Sequence, residues 1–202
     1  MDPVVVALTF GAIFVVELPD KTFIATLVLS TKFRPLLVWI GVGLAFAVQT
    51  GVAVVLGKAV GLLPDDVVHV GTALMFLVGA VILFRTASSA DEDEAESESE
   101  YAAKVSTGST TAGLKAVVTS FLVLFAAEWG DLSQLLTLSL VAKYDDPVSV
   151  FLGAWGALLT VSGLAVILGR VLLNHVRLSV LHYVGASVCV LMAALTLWEM
   201  TT

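Results

Sequence analysis

Six apolar runs, each about as long as a lipid bilayer is thick, constrain this chain most: roughly 4–31, 36–57, 67–84, 114–142, 148–169 and 178–198. A helix needs about 20 mostly apolar residues to cross the hydrocarbon core, and more if it tilts. The first and fourth runs are too long for one simple span and carry charge in the middle; the third is short and is lengthened at its ends by Asp66 and Arg85. Only 13% of the side chains are charged and 58% are hydrophobic, against about 25% charged in an average soluble chain. The fold class implied is an all-α integral membrane protein with six transmembrane helices.

The same arithmetic excludes several classes. Cys189 is the only cysteine, so an intrachain disulfide framework and a thiolate zinc or iron–sulfur site are ruled out. The net charge of −7 belongs to one segment, because seven of the seventeen acidic residues lie between Asp91 and Glu100. Without residues 85–113 the remainder holds ten acids and eight bases, and no basic face for nucleic acid is present. The start Met1-Asp2-Pro3 has no basic region ahead of its apolar run, so no cleaved signal peptide is expected.

Polar breaks separate the runs: Lys32-Phe33-Arg34-Pro35, Leu63-Pro64-Asp65-Asp66, Tyr144-Asp145-Asp146-Pro147, and Arg170 to Arg177. The stretch from Ala90 to Glu100 alternates Asp, Glu, Ser and Ala, repels itself and has almost nothing to bury, so it is expected to be disordered, as a solvated linker first and a regulatory or metal-collecting tail second. Orientation follows the bias of Lys and Arg. With the N-terminus outside, the cytoplasmic connections hold Lys32, Arg34, Arg85, Lys104, Lys115, Arg170 and Arg177, and the outer ones only Lys58 and Lys143. Both termini are then external, the linker is cytoplasmic, and the default location is the cell membrane.

The two halves repeat. Glu17-Leu-Pro-Asp20-Lys-Thr22 aligns with Glu128-Trp-Gly-Asp131-Leu-Ser133 at an offset of 111. At 112, Pro35 meets Pro147, Gly41 meets Gly153, Thr50-Gly51 meets Ser162-Gly163, and Gly57-Lys58 meets Gly169-Arg170; at 114, Val70-Gly71 meets Val184-Gly185. The chain therefore divides into a first three-helix repeat (1–84), the acidic linker (85–113) and a second three-helix repeat (114–202). Three is odd, so the second copy enters the membrane in the opposite sense. Inverted repeats of this kind recur in secondary transporters, with the binding site near the midplane where broken helices meet.

Glu17 and Asp20 lie one helical turn apart, and Glu128 and Asp131 repeat the spacing. A charge at membrane depth costs about 2.5–3.5 kcal/mol on insertion scales, so four acids there are hard to explain as packing. Pro19 should kink the first helix and free carbonyls near Val15 and Val16, and Gly130 permits a similar break in the fourth run. Carbonyls, four carboxylates and the hydroxyls of Thr22 and Ser133 form an all-oxygen set suited to hard divalent cations, Ca²⁺, Mn²⁺ or Mg²⁺. Four clustered carboxylates cannot all stay ionised away from water. Protons and a divalent cation would compete for them, which is the physical basis of cation/proton antiport. Lys21 either pairs with Glu17 or snorkels to an interface. Gln49, Thr50 and Ser162 either face the site or bond between helices, and Gln134 and Thr137, a turn beyond Asp131, either line the path or bond a neighbour. His69 and His182 read as interfacial caps. Trp39, Trp155 and Trp198 mark interfaces or packing, and Trp129 is placed to shape the cavity.

With both motifs on the page, the chain resembles the Gdt1-type cation/proton exchanger family, whose Glu-x-Gly-Asp-Lys/Arg-Thr/Ser motif occurs twice, each in the first span of a three-span repeat, around an acidic central loop. The resemblance covers nearly the whole chain. It implies Mn²⁺ or Ca²⁺ movement against protons, with Glu17, Asp20, Thr22, Glu128, Asp131 and Ser133 as ligands, the four acids as the proton-coupling groups, and Lys21, Gln49 and Gln134 as auxiliaries. This sequence departs from the motif twice, with Pro19 in place of the first glycine and Leu132 in place of the second basic residue.

The expectation is a six-span antiporter exporting Mn²⁺ and/or Ca²⁺ from the cytoplasm against inward protons, with no catalytic residues and no bound cofactor. Its partners are the lipid bilayer, divalent cations and protons, and not nucleic acid; homo-oligomerisation is left open. One rival is an exporter of amino acids or another small solute, which would need a larger site and fewer converging acids. The other is an intramembrane aspartyl protease using Asp20 and Asp131, which leaves the doubled Glu unexplained.

Overall fold

The computed structural model describes residues 1–18, 20–105, 113–175 and 178–200, all of its regular structure helical. Four helices are long and apolar enough to cross a membrane unaided: α3 (Pro35–Val60), α4 (Asp65–Thr86), α8 (Pro147–His175) and α9 (Leu178–Glu199). Two pairs pass the same test jointly. The helices α1 (Pro3–Glu17) and α2 (Lys21–Lys32) meet at 73°, and α6 (Gly113–Ala127) and α7 (Leu132–Tyr144) at 75°. The first and fourth runs were therefore too long because each is two helices. A bend this sharp is a full break where the sequence argued for a kink.

The protein exposes large apolar side chains and buries several polar ones beside its apolar core. Val55 is 69% exposed and Ile167 78%, whereas Glu17, Glu128, Gln49 and Thr50 are buried. In water those exposed faces would drive association; in lipid they are the ordinary surface. The bundle is a multi-pass membrane fold.

Packing follows the repeat. The helix α1 lies on α8 as α6 lies on α3, and α4 pairs with α9, its own repeat mate. Two repeated glycines make the first contacts close. A Cβ on Gly153 would sit 2.6 Å from Val6 O and 2.9 Å from Thr9 Cβ, and one on Gly41 would strike Val117 O and Ser120 Cβ. Val6 and Thr9 are the repeat mates of Val117 and Ser120. Backbones can approach this closely only where a side chain is missing, the usual device for packing helices in a membrane.

Two expectations need correction. The acidic run is a helix, α5 (Ala90–Val105), and not a disordered linker. Ala and Glu are strong helix formers, and Ala90 and Tyr101, three turns apart on one face, are buried as α5 packs on α2 and α9. The fifth run also does not stop at Arg170, since α8 continues to His175; the break that follows falls on 176–177, outside the described residues.

Candidate functional site

Each break is built from its own motif. In the first, the Leu18 N–H still reaches Phe14 O at 3.0 Å, but the Asp20 N–H, which an unbroken helix would direct at Val16 O, bonds Glu17 O at 3.0 Å. Proline has no N–H to offer Val15 O, so both carbonyls lose their helical partners, as the sequence argued. Pro19 itself lies outside the described residues. Asp20 then caps α2, accepting from the Lys21 N–H at 2.6 Å. In the second break Gly130 adopts φ +79°, the left-handed region that only glycine enters without strain. Asp131 caps α7, accepting from the Ser133 N–H at 3.2 Å and the Gln134 N–H at 3.0 Å.

The two breaks face each other. Glu17, Asp20, Glu128 and Asp131 each offer one oxygen to a set whose atoms all lie within 4.8 Å of one another. Glu17 is 1% exposed and Glu128 2%. The Thr22 hydroxyl donates to Glu17 Oε1 at 2.8 Å, and the Ser133 hydroxyl to Asp131 Oδ2 at 2.6 Å. Glu17 Oε2 and both carboxylate oxygens of Glu128 are buried with no hydrogen-bond partner. An unpartnered buried acceptor is costly, and a charged one more so. The chemistry of the set is therefore acceptor-rich and donor-poor. Cations or protons are what it lacks.

The six motif residues thus converge, and so do two of the auxiliaries. A cavity of about 10 Å³ against the second break is lined by Gln49, Thr50, Glu128, Asp131, Ser133 and Gln134, room for about one water-sized particle. Gln49 Nε2 donates to Phe125 O at 3.1 Å, a carbonyl left over at the end of α6. Gln134 Nε2 donates to Gln49 O at 3.3 Å, while Gln134 Oε1 accepts from the Gly130 N–H at 2.8 Å. These two side chains tie the second break to α3. Thr137 donates to Ser133 O and Ser162 to Leu159 O, so both spend their hydroxyls on their own helices.

Other candidates are placed elsewhere. Lys21 is exposed, and Glu17 accepts its hydrogen bond from Thr22. Leu132, standing in the second motif's basic position, packs against Gly79 of α4. Trp129 does not shape the cavity: it is 59% exposed and packs on Phe125, because the break turns its side chain outward. Trp39 and Trp155 donate across helices to Leu159 O and Gly43 O, both at 2.9 Å, and Trp198 is exposed. His69 Nδ1 lies 2.8 Å from Asp65 O, as a cap should.

Two residues near the acids escaped the sequence reading. His182, taken as a cap, is within electrostatic reach of Asp20. Tyr101 of α5 is buried, and burial pushes its phenol up to about 12, with Glu128 and Asp20 adding to the effect. The one available signal was that Tyr101 is the only aromatic residue in the linker.

The sequence model of the family described as divalent cation/proton antiporter GDT1 matches residues 5–91 and 116–202. The chloroplastic protein PAM71 of Arabidopsis thaliana is 28% identical over 97% of this chain and 57% of its own length. The chloroplastic PAM71-homolog of the same plant is 30% identical over 93% of this chain and 57% of its own length. The GDT1-like protein sll0615 of Synechocystis is 29% identical over 74% of this chain and 73% of its own length. The chain spans about three-fifths of the length of its chloroplastic relatives. No solved structure matches it.

Proposed function

We propose, from the premise that this chain belongs to the GDT1 family of divalent cation/proton antiporters, that it exchanges Mn²⁺ and/or Ca²⁺ for protons at the four-carboxylate cluster. The observation that carries the reading is the convergence of Glu17, Asp20, Glu128 and Asp131 within 4.8 Å, with three buried Glu oxygens unpartnered. Four negative charges this close, away from water, demand compensation. Two or more protons supply it in one state and a divalent cation in the other, and the exclusion of one by the other couples their movement. Glu17, Glu128, Asp20 and Asp131 serve as ligands and as proton carriers. Thr22 orients Glu17, Ser133 orients Asp131, and Gln49 and Gln134 position the second break.

The small cavity supports an ion over an amino acid or other small solute as cargo. Against a protease, both aspartates are engaged as helix N-caps rather than sharing a substrate water. The direction we propose is export from the cytoplasm across the cell membrane, driven by inward protons. Residues 1–84 and 114–202 form the repeats, both termini lie outside, and 85–113 lies in the cytoplasm. In a Cys189→Ala background, Ser97→Cys should label only from the cytoplasmic side and Asp146→Cys only from outside.

The decisive experiment is pH-gradient-driven Mn²⁺ and Ca²⁺ uptake into vesicles reconstituted with the full chain. Wild-type protein should accumulate one or both cations and dissipate the gradient as it does so. The double variant Glu17→Gln, Glu128→Gln keeps the shape, removes two charges and cannot titrate near neutral pH; it should insert and fold but do neither. Near-normal, proton-coupled uptake by that variant would overturn the assignment.

A further inference from the structure

The repeat relates every helix but α5 to a mate, and one place where the packing departs from that symmetry is where α5 lies; the other is α1 on α9, which α6 on α4 does not match. On the face of the membrane bearing the chain termini, α7 packs directly on α4. The pseudo-twofold axis carries this contact to α2 on α9, at the opposite face, where the linker emerges. There α2 does not pack on α9 in the same way; α5 packs on both. The helix occupies the position that a repeat-to-repeat contact would otherwise fill.

Side-chain burial agrees. Ile24 of α2 and Leu135 of α7 are repeat mates at an offset of 111. Leu135 is 41% exposed and Ile24 3%. Every residue from Thr22 to Leu29 is buried, so α2 has cover on all sides, and α5 is its only packing neighbour without a counterpart in the repeat. Among the described side chains of α5, Ala90 and Tyr101 are buried, Ser97 and Ala102 are half-buried, and Glu96, Ser99 and Glu100 are exposed. A short helix at the end of a bundle opens more readily than the long helices beneath it.

We propose that α5 is the gate of the linker face, a plug that closes the route between that face and the carboxylate cluster, with Tyr101 as the side chain that seals it. Its withdrawal opens the cluster to that side of the membrane. The helix α5 packs on α2, whose N-cap is Asp20 and whose Thr22 bonds Glu17, which supports a position over the cluster. The consequence for transport rests on the carboxylates being the cation site; the closure itself does not.

The test therefore reads access and not transport. The full chain carrying Cys189→Ala and Ile24→Cys is reconstituted in vesicles and exposed to a membrane-impermeant maleimide from either face. Labelling should be slow with α5 in place and should accelerate about ten-fold or more from the linker face on Tyr101→Ala, the size of change that a local opening of this kind produces. Tyr101→Phe, which keeps the ring, should label more slowly than Tyr101→Ala. Replacing residues 88–105 with a Gly/Ser segment of equal length should accelerate labelling without disturbing the membrane helices. The parallel chain with Leu135→Cys should label at one rate whatever occupies position 101. Unchanged labelling at Ile24→Cys in both Tyr101→Ala and the replaced chain would overturn the gate. Equal acceleration at Leu135→Cys would also overturn it, since that outcome means a loosened bundle. Loss of vesicle transport with the labelling pattern intact would count against the cation site alone.

Discussion

At the first break the hydroxyl of Thr22 donates to Glu17; at the second the hydroxyl of Ser133 donates to Asp131, and Glu128 is left with no partner. The motifs are homologous, the bends are 73° and 75°, and the acids end in the same cluster, yet the hydrogen bonds are dealt out differently. The backbone device differs too. Gly130 turns through φ +79°, which a proline ring fixed near −65° cannot reach, so the Pro19 break must obtain the same angle by another route. Two-fold symmetry in the backbone thus coexists with an asymmetric site, in which one Glu accepts a side-chain hydrogen bond and the other accepts none.

The largest effects should test that asymmetry directly. Glu128 presents two unpartnered oxygens and Glu17 one. Glu128→Gln should weaken Mn²⁺ or Ca²⁺ binding by at least about 100-fold and Glu17→Gln by about 10-fold, since ligand charge and number set affinity in oxygen sites. Cation-dependent uptake titrations in vesicles measure both, and equal losses would remove the distinction between the hydrogen-bonded Glu and the unpartnered one. Next come the orienting hydroxyls. Thr22→Val strips Glu17 of its donor and should cost about 10-fold in affinity, the lower end for a partner that orients a metal ligand. Ser133→Ala leaves Asp131 its two backbone donors and should cost only about three-fold, a fraction of one hydrogen bond to a charged group.

Backbone tests are smaller. Gly130→Ala places a Cβ at positive φ and should lower stability by about 1–2 kcal/mol, seen as faster thermal inactivation with cation binding retained. Gln49→Ala releases Phe125 O and one tie to the second break, and should slow exchange without abolishing it. The repeat mate of Gln49 is Val161, so the first break has no equivalent vulnerability. The smallest effect lies outside the membrane. Hydrogen bonds from the Ser149 hydroxyl and N–H hold the Asp146 carboxyl down at about 2, and it also accepts from the Asp2 N–H at 3.0 Å. Its folded value is below the ordinary carboxylate value near 4, so its contribution is complete above about pH 4 and is lost as pH falls toward 2. Any stability difference between wild type and Asp146→Asn should be constant from pH 7 to about 4 and vanish below.

The runs, the doubled motif and the inverted repeat were legible because each is a local property of the chain. Apolar length decides what crosses lipid, and buried acids at a fixed spacing are too costly to be incidental. Break residues were legible for the same reason, since a missing N–H or Cβ acts within one turn. Trp129 and His182 were not, because the direction of a side chain beyond a sharp break depends on the break's dihedral angles and on what packs opposite. The acidic run misled for a related reason: its composition argues against a core of its own, but Ala90 and Tyr101 need only the cover that α2 and α9 provide.

By itself, then, the sequence determined that this chain lives in a membrane, that it is two copies of one unit, and that each copy brings a Glu and an Asp to a broken helix. Only the tertiary structure decided that the four acids meet within 4.8 Å, that Thr22 and Ser133 serve different acids, and that α5 stands where symmetry would put α2 against α9. The physical reason is the range of the forces involved. Insertion, helix formation and breakage are settled over one or two turns, whereas the convergence of charges and the burial of Ile24 depend on how helices far apart in the chain cross, and that is fixed by packing at glycines such as Gly41 and Gly153.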